Sequence, residues 1–191
     1  EAVRSKSKTS DRELITAGQA FDESSVVLVL AGRSDIGTAT HEIMHILVGR
    51  ATDGSVNLPL WLNEGLAEYA NRDKTVSYDL YLEWGIGTNQ LKPLSQLRTF
   101  PGDPKLTLVA YGQSRSVVRY MINNYGEEKM YILLNNLSLG MLFDEALIDS
   151  YGFDLKTLDT NWRESIGAGP YKSRENSIVE VKISDPNSCS S

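Results

Sequence analysis

Both histidines of this 191-residue chain fall within five consecutive positions, His41, Glu42, Ile43, Met44 and His45. On a helix, positions i and i+4 share one face about 6 Å apart along the axis. Two imidazoles so placed can converge on one tetrahedral metal ion at ~2.0 to 2.1 Å each. Glu42 is rotated by about 100° from His41, which sets its carboxylate beside such an ion, where it can take a proton from an attacking water. A two-histidine site that keeps one position open needs a third protein ligand. No histidine remains, and the single cysteine, Cys189, lies in a Ser-rich tail, so the ligand is expected to be a carboxylate. The segment Trp61 to Tyr69 offers two, Glu64 and Glu68, again at i and i+4.

Elements of the right kind surround these residues. Ser25 to Ala31 is a short β-branched apolar run and reads as a buried strand leading toward the histidines. Ile36, Thr40, Ile43, Met44 and Leu47 recur at spacings of three and four, which predicts a helix over about Asp35 to Val48, with Gly49 as its stop. Pro59 suits a first helical turn, and Leu60, Leu62, Leu66, Tyr69 and Ala70 make a second amphipathic helix ending near Asn71. A short helix is expected over Val76 to Trp84, then an extended connection from Gly85 to Leu106 with one helical turn at Leu94 to Leu97. Helical periodicity returns over Val109 to Asn124, Glu127 to Leu137, Met141 to Tyr151 and Asp154 to Ile166, with Gly126 and Gly140 as separators and Asp154 in a cap position. Trp61 and Tyr69 are expected to be core residues, the usual fate of aromatics at helical spacing.

Composition bounds the rest. With 41% hydrophobic and 23% charged residues the chain can build a core of ordinary size. Nineteen Lys and Arg against 25 Asp and Glu give a formal charge of -6, with no basic stretch dense enough to track a phosphate backbone, so nucleic acid is a poor candidate partner. The longest uninterrupted apolar run, Val26 to Ala31, falls far short of the ~20 residues that span a bilayer, so no membrane insertion by this segment is expected. One cysteine excludes an internal disulfide and a tetrathiolate zinc site. Because the chain opens on Glu1, a processed or excised segment is expected, with an extracellular or cell-surface location favoured. Three regions are expected: a flexible or truncated entry over 1–16, a domain over 17–167, and a tail or linker over 168–191 whose Ile178 to Ile183 stretch alternates like an edge strand.

The motif His41 to His45, followed after eighteen intervening residues by Glu64 in an Asn-Glu-Gly-Leu-Ala-Glu-Tyr setting, resembles the gluzincin metallopeptidases, and in particular the peptidase MA-like family related to thermolysin and the zinc aminopeptidases. The likeness extends from about Ala17 to Gly167, through Ala110 to Ser114 and the Phe143 to Trp162 stretch. It implies an α+β fold, a mostly helical zincin-like domain with a small β-sheet packed on the active-site helix. It further implies that His41, His45 and Glu64 bind one Zn2+, that Glu42 is the general base, and that Glu68 accepts a hydrogen bond from the far nitrogen of His41. An oxyanion donor is still required, and related enzymes use a tyrosine; Tyr111 is the first choice here. Arg115 and Arg119 follow it at helical spacing, and Arg119 is read as a substrate contact. The strand ending in Val29, Leu30 and Ala31 stands where the family's edge strand aligns an extended peptide. The expected function is zinc-dependent hydrolysis of peptide bonds in a peptide or protein substrate. A scaffold domain that keeps the metal without turnover is the competing reading, and the intact Glu42 argues against it.

Overall fold

The computed structural model describes residues 18–21, 26–29, 36–71 and 78–171. Within them, two strands and seven α-helices follow in chain order: β1 (Gly18–Phe21), β2 (Val26–Val29), α1 (Ile36–Ala51), α2 (Leu60–Ala70), α3 (Tyr78–Gly87), a 3-10 turn at Leu94–Gln96, α4 (Pro104–Tyr125), α5 (Glu127–Ser138), α6 (Phe143–Tyr151) and α7 (Leu155–Ser165). The fold is mostly helical, as expected. Its described β structure is one antiparallel ladder, with Gly18 opposite Val29 and Phe21 opposite Val26, lying against α1.

α4 organises the molecule. Asp103 caps it by accepting from the Leu106 N–H at 2.9 Å, and Pro104 occupies the first turn, where its missing N–H costs nothing. This cap explains why the helix starts earlier than the periodicity alone predicts. At 22 residues it spans about 33 Å, enough to take α2 and α3 along part of its length and α5 beyond them. α6 packs on α5, and α7 packs against the 3-10 turn. The core is continuous, running from Trp61 and Leu62 through Val117, Val118 and Met121 to Leu133, Leu147, Leu158 and Trp162. Inside it the Trp162 indole donates to the Ser116 hydroxyl at 3.1 Å, so the buried N–H keeps a partner.

Two contacts fix the helices that carry chemistry. A Cβ on Gly65 of α2 would lie 2.6 Å from the Ser114 carbonyl oxygen and 2.7 Å from a Val118 methyl of α4, so only glycine lets the two backbones touch. The loop from α1 to α2 is tied down by Asn57, whose side-chain amide donates to the Met141 carbonyl at 3.0 Å.

Several expectations need correction. The strand expected to be buried is a ribbon strand, with Val26 and Val29 exposed, because a two-stranded ladder covers neither its outer edge nor its second face. Tyr69 is exposed rather than core, since the α2 face against α4 is taken by Leu62, Gly65 and Leu66. Trp61 is fully buried, as expected. Leu30, Ala31, the 1–16 entry, the 178–183 stretch and Cys189 lie outside the described residues.

Candidate metal centre

α1 and α2 cross so that His41 and His45 on one face Glu64 on the other. The two Nε2 atoms stand 3.1 Å apart, and Glu64 Oε2 lies 3.6 Å from His41 Nε2 and 3.5 Å from His45 Nε2. These three atoms form the one cluster of potential metal ligands among the described residues. A tetrahedral ion with ligands at ~2.05 Å separates them by ~3.4 Å, close to all three edges of this triangle. Both histidine side chains are 15% exposed and Glu64 16%, so solvent and substrate can still reach the centre.

The surrounding hydrogen bonds set which nitrogens carry protons. His45 Nδ1 is 3.0 Å from Asn63 Oδ1, an oxygen that can only accept, so Nδ1 is the donor and Nε2 is the nitrogen turned to the triangle. His41 Nδ1 lies 3.0 Å from Glu68 Oε1, a short ion-pair contact without the alignment of a full hydrogen bond, and it turns Nε2 of that ring the same way. Two ring nitrogens and a carboxylate oxygen therefore face one another, and Glu64 Oε2 is a buried atom without a hydrogen bond of good geometry. Such a group is costly unless a cation fills the gap. A proton can do so in part: burial opposes charge on His45, but the Glu64 carboxylate, Asn63 and Glu42 outweigh it and lift the imidazole to about 9. The orphaned oxygen and a donor set of two imidazoles and one carboxylate fit a catalytic zinc ion, which takes three protein ligands and leaves a fourth position open.

A sequence profile of the peptidase MA superfamily matches residues 12–168 of the chain. The chain belongs to the peptidase MA superfamily. No curated protein and no solved structure matches it. Membership places the chain in a superfamily of metal-dependent peptidases, whose substrates are peptides, and no helix among the described residues is long and apolar enough to cross a membrane.

In this peptidase MA domain Glu42 is nearly buried on α1, and its carboxyl is pushed above the usual range mainly by that burial, against the pull of both histidines. The Ala20 backbone N–H of β1 donates to it. The sequence reading missed β1, because a four-residue strand paired to a four-residue neighbour leaves no periodicity to read. Val29 lies at the exposed end of β2, on the partner of the strand that touches Glu42. Tyr111, on α4, sits in an aromatic group with Phe100 at 4.9 Å and Tyr78 at 5.8 Å between ring centres. Arg115 and Arg119 both point a guanidinium at Asp79 of α3, at 4.0 and 3.8 Å, and Arg119 is exposed. Two further residues were not singled out from the sequence. Asn63 stands next to Glu64 within the quoted motif, and its position one residue before a ligand was the available signal. Tyr78 of α3 stacks on Tyr111 of α4 at 5.8 Å between ring centres, a contact across two helices with no sequence signal.

Proposed function

We propose that the chain is a zinc metallopeptidase of gluzincin type, in which His41, His45 and Glu64 hold one Zn2+ and Glu42 is the general base. The observation that carries this reading is the triangle of two Nε2 atoms and Glu64 Oε2, spaced for a tetrahedral ion. A zinc ion held there supplies Lewis acidity, polarising a carbonyl and lowering the pKa of water from 15.7 toward ~7.

The chain's own residues do the rest. Glu42 stands one residue from His41, on the flank of the triangle, and its raised carboxyl pKa makes it a better proton acceptor than an exposed glutamate. It takes a proton as water attacks the peptide carbonyl and passes it to the departing amine. Asn63 and Glu68 keep both imidazoles turned toward the ion. Tyr111 is the donor for the developing oxyanion, presented from α4 within its aromatic group. An extended substrate pairs its backbone with the ribbon edge ending at Val29, the sequence assigning the following Leu30 and Ala31 to the same contact, and Arg119 meets it on the α3–α4 side.

The test is Glu42→Gln, which keeps size and hydrogen bonding while removing the base. Digestion of a mixed peptide library by the wild type, read by mass spectrometry, is expected to yield cleavage that Glu42→Gln lowers by at least ~100-fold with zinc content unchanged. Wild-type protein loaded with zinc that cleaves nothing in the library would favour the scaffold reading instead.

A further inference from the structure

We propose that Arg115 and Arg119 form an anion-selecting subsite of the candidate active site, so that the peptides it takes carry an Asp or Glu side chain within about three residues of the cleaved bond. This rests on the peptidase reading above and names the substrate class of that same site.

The backbone that carries these arginines touches the helix that carries a metal ligand. A Cβ on Gly65 would lie 2.6 Å from the Ser114 carbonyl oxygen and 2.9 Å from its carbonyl carbon. Arg115 is bonded to that carbon, and Glu64 immediately precedes Gly65. At about 100° per residue, Tyr111, Arg115 and Arg119 lie about 60°, 100° and 140° round α4 from Ser114. Ser114 and Val118 meet α2, whereas Gly112, about 160° round, meets α3 at the Tyr78 carbonyl. The three side chains therefore form one stripe between the lines where α2 and α3 pack on α4. Tyr111 heads it, stacked on Tyr78 at 5.8 Å, and Arg119 lies about 6 Å beyond Arg115 along the axis. An extended peptide advances ~3.3 Å per residue, so both guanidinium groups fall within two or three residues' reach.

Charge makes that stripe selective. Arg115 and Arg119 stand one helical turn apart, a spacing at which like charges repel. Both aim Nη1 at a single carboxylate oxygen, Asp79 Oδ1, at 4.0 and 3.8 Å. Those distances exceed the ~2.7 to 3.2 Å of an N–H···O bond, so at these atoms Asp79 offsets charge without hydrogen bonding. Two cations around one anion leave a local positive charge in a chain whose formal charge is -6. The side chains of Arg115, Arg119 and Asp79 are 23%, 44% and 58% exposed, so an incoming carboxylate can join Asp79 between the guanidinium groups or displace it. A guanidinium presents its N–H groups as a fork that takes a carboxylate through two parallel bonds. An amide side chain of the same shape brings neither the charge nor the second acceptor.

The experiment uses the zinc-loaded full chain and paired peptides that differ only by Asp against Asn, or Glu against Gln, at one position. That position is walked across about three residues on either side of a bond the wild type cleaves. The acidic-to-amide ratio of kcat/KM is expected to reach ~10 at its best position and to fall to ~2 or less in Arg119→Gln and in Arg115→Gln. In Asp79→Asn, which removes the competing carboxylate, the ratio is expected to rise ~3-fold. A purely structural role for the three residues would not move the ratio in opposite directions. A second readout needs no turnover: fluorescence anisotropy of the same labelled pairs on Glu42→Gln is expected to show tighter binding of the acidic member, by a margin that shrinks between ~0.05 and ~0.5 M salt. A wild type that cleaves peptides with a ratio near one at every position, or an Arg119→Gln variant that keeps the full preference, would overturn the subsite and leave the peptidase reading standing. Wild-type protein that cleaves nothing would remove both.

Discussion

On the proposed zinc-site reading, His45 is the residue at which metal and proton compete. Its imidazole, lifted to about 9 in the metal-free site against the opposing effect of burial, is protonated at neutral pH. On that reading zinc loading expels that proton. Calorimetric titration of Zn2+ at pH 7.5 in buffers of different ionisation enthalpy is expected to show release of about one proton per ion, and a buffer-independent heat would contradict the assignment. The same shift has a stability consequence of fixed sign. A raised histidine stabilises the folded state fully below its unfolded value of 6.5, and that contribution is lost as pH rises through about 9. The metal-free protein is therefore expected to melt at lower temperature at pH 10 than at pH 6.5, with a smaller difference in His45→Gln. At this scale the sequence was most informative. His41, Glu42 and His45 sit at a spacing that helix geometry connects to a metal, and the family resemblance selected Glu64 over Glu68, whereas Asn63 meets His45 through a contact that no spacing encodes.

Helix crossings decide whether those side chains meet. Gly65 follows Glu64 directly and is the point where α2 touches α4. Gly65→Ala is expected to cost about 1 to 3 kcal/mol in urea unfolding, since the Ser114 carbonyl oxygen it meets belongs to backbone that cannot move aside. Because the same shift carries Asn63, Glu64 and Glu68, zinc affinity is expected to fall as well. Gly87, at the end of α3 with open space around it, is the control: Gly87→Ala is expected to leave stability unchanged or raise it slightly. The helices themselves were legible, since each buries one stripe against a neighbour and the three- and four-residue spacing survives in the sequence. Boundaries were less so. α1 runs past Gly49 to Ala51, and α4 begins at Pro104 because the Asp103 cap, not apolar periodicity, defines its start. The β1 strand was invisible for the opposite reason: its partner is another short segment, and its distinctive contact is a backbone N–H, which every residue but proline carries.

At the scale of the whole molecule the three candidate ligands come from α1 and α2, and α7 contributes none of them. Trp162, fully buried on α7, belongs to the continuous core and donates its indole N–H to Ser116 of α4. Trp162→Ala is expected to cost about 3 to 5 kcal/mol, while the zinc affinity of the remaining folded protein stays unchanged; a parallel loss of affinity would show that the centre and the α7 end are coupled. Metal itself acts on the entire fold by mass action, and Zn2+ at 100 times its Kd is expected to add about 2.7 kcal/mol to stability, seen as a drop in melting temperature on adding chelator. The most direct measurement is elemental analysis of the purified chain beside His45→Ala and Glu64→Ala. The account predicts one zinc ion per wild-type chain and a large loss in both variants; wild-type protein without stoichiometric metal, or variants that retain it in full, would contradict it.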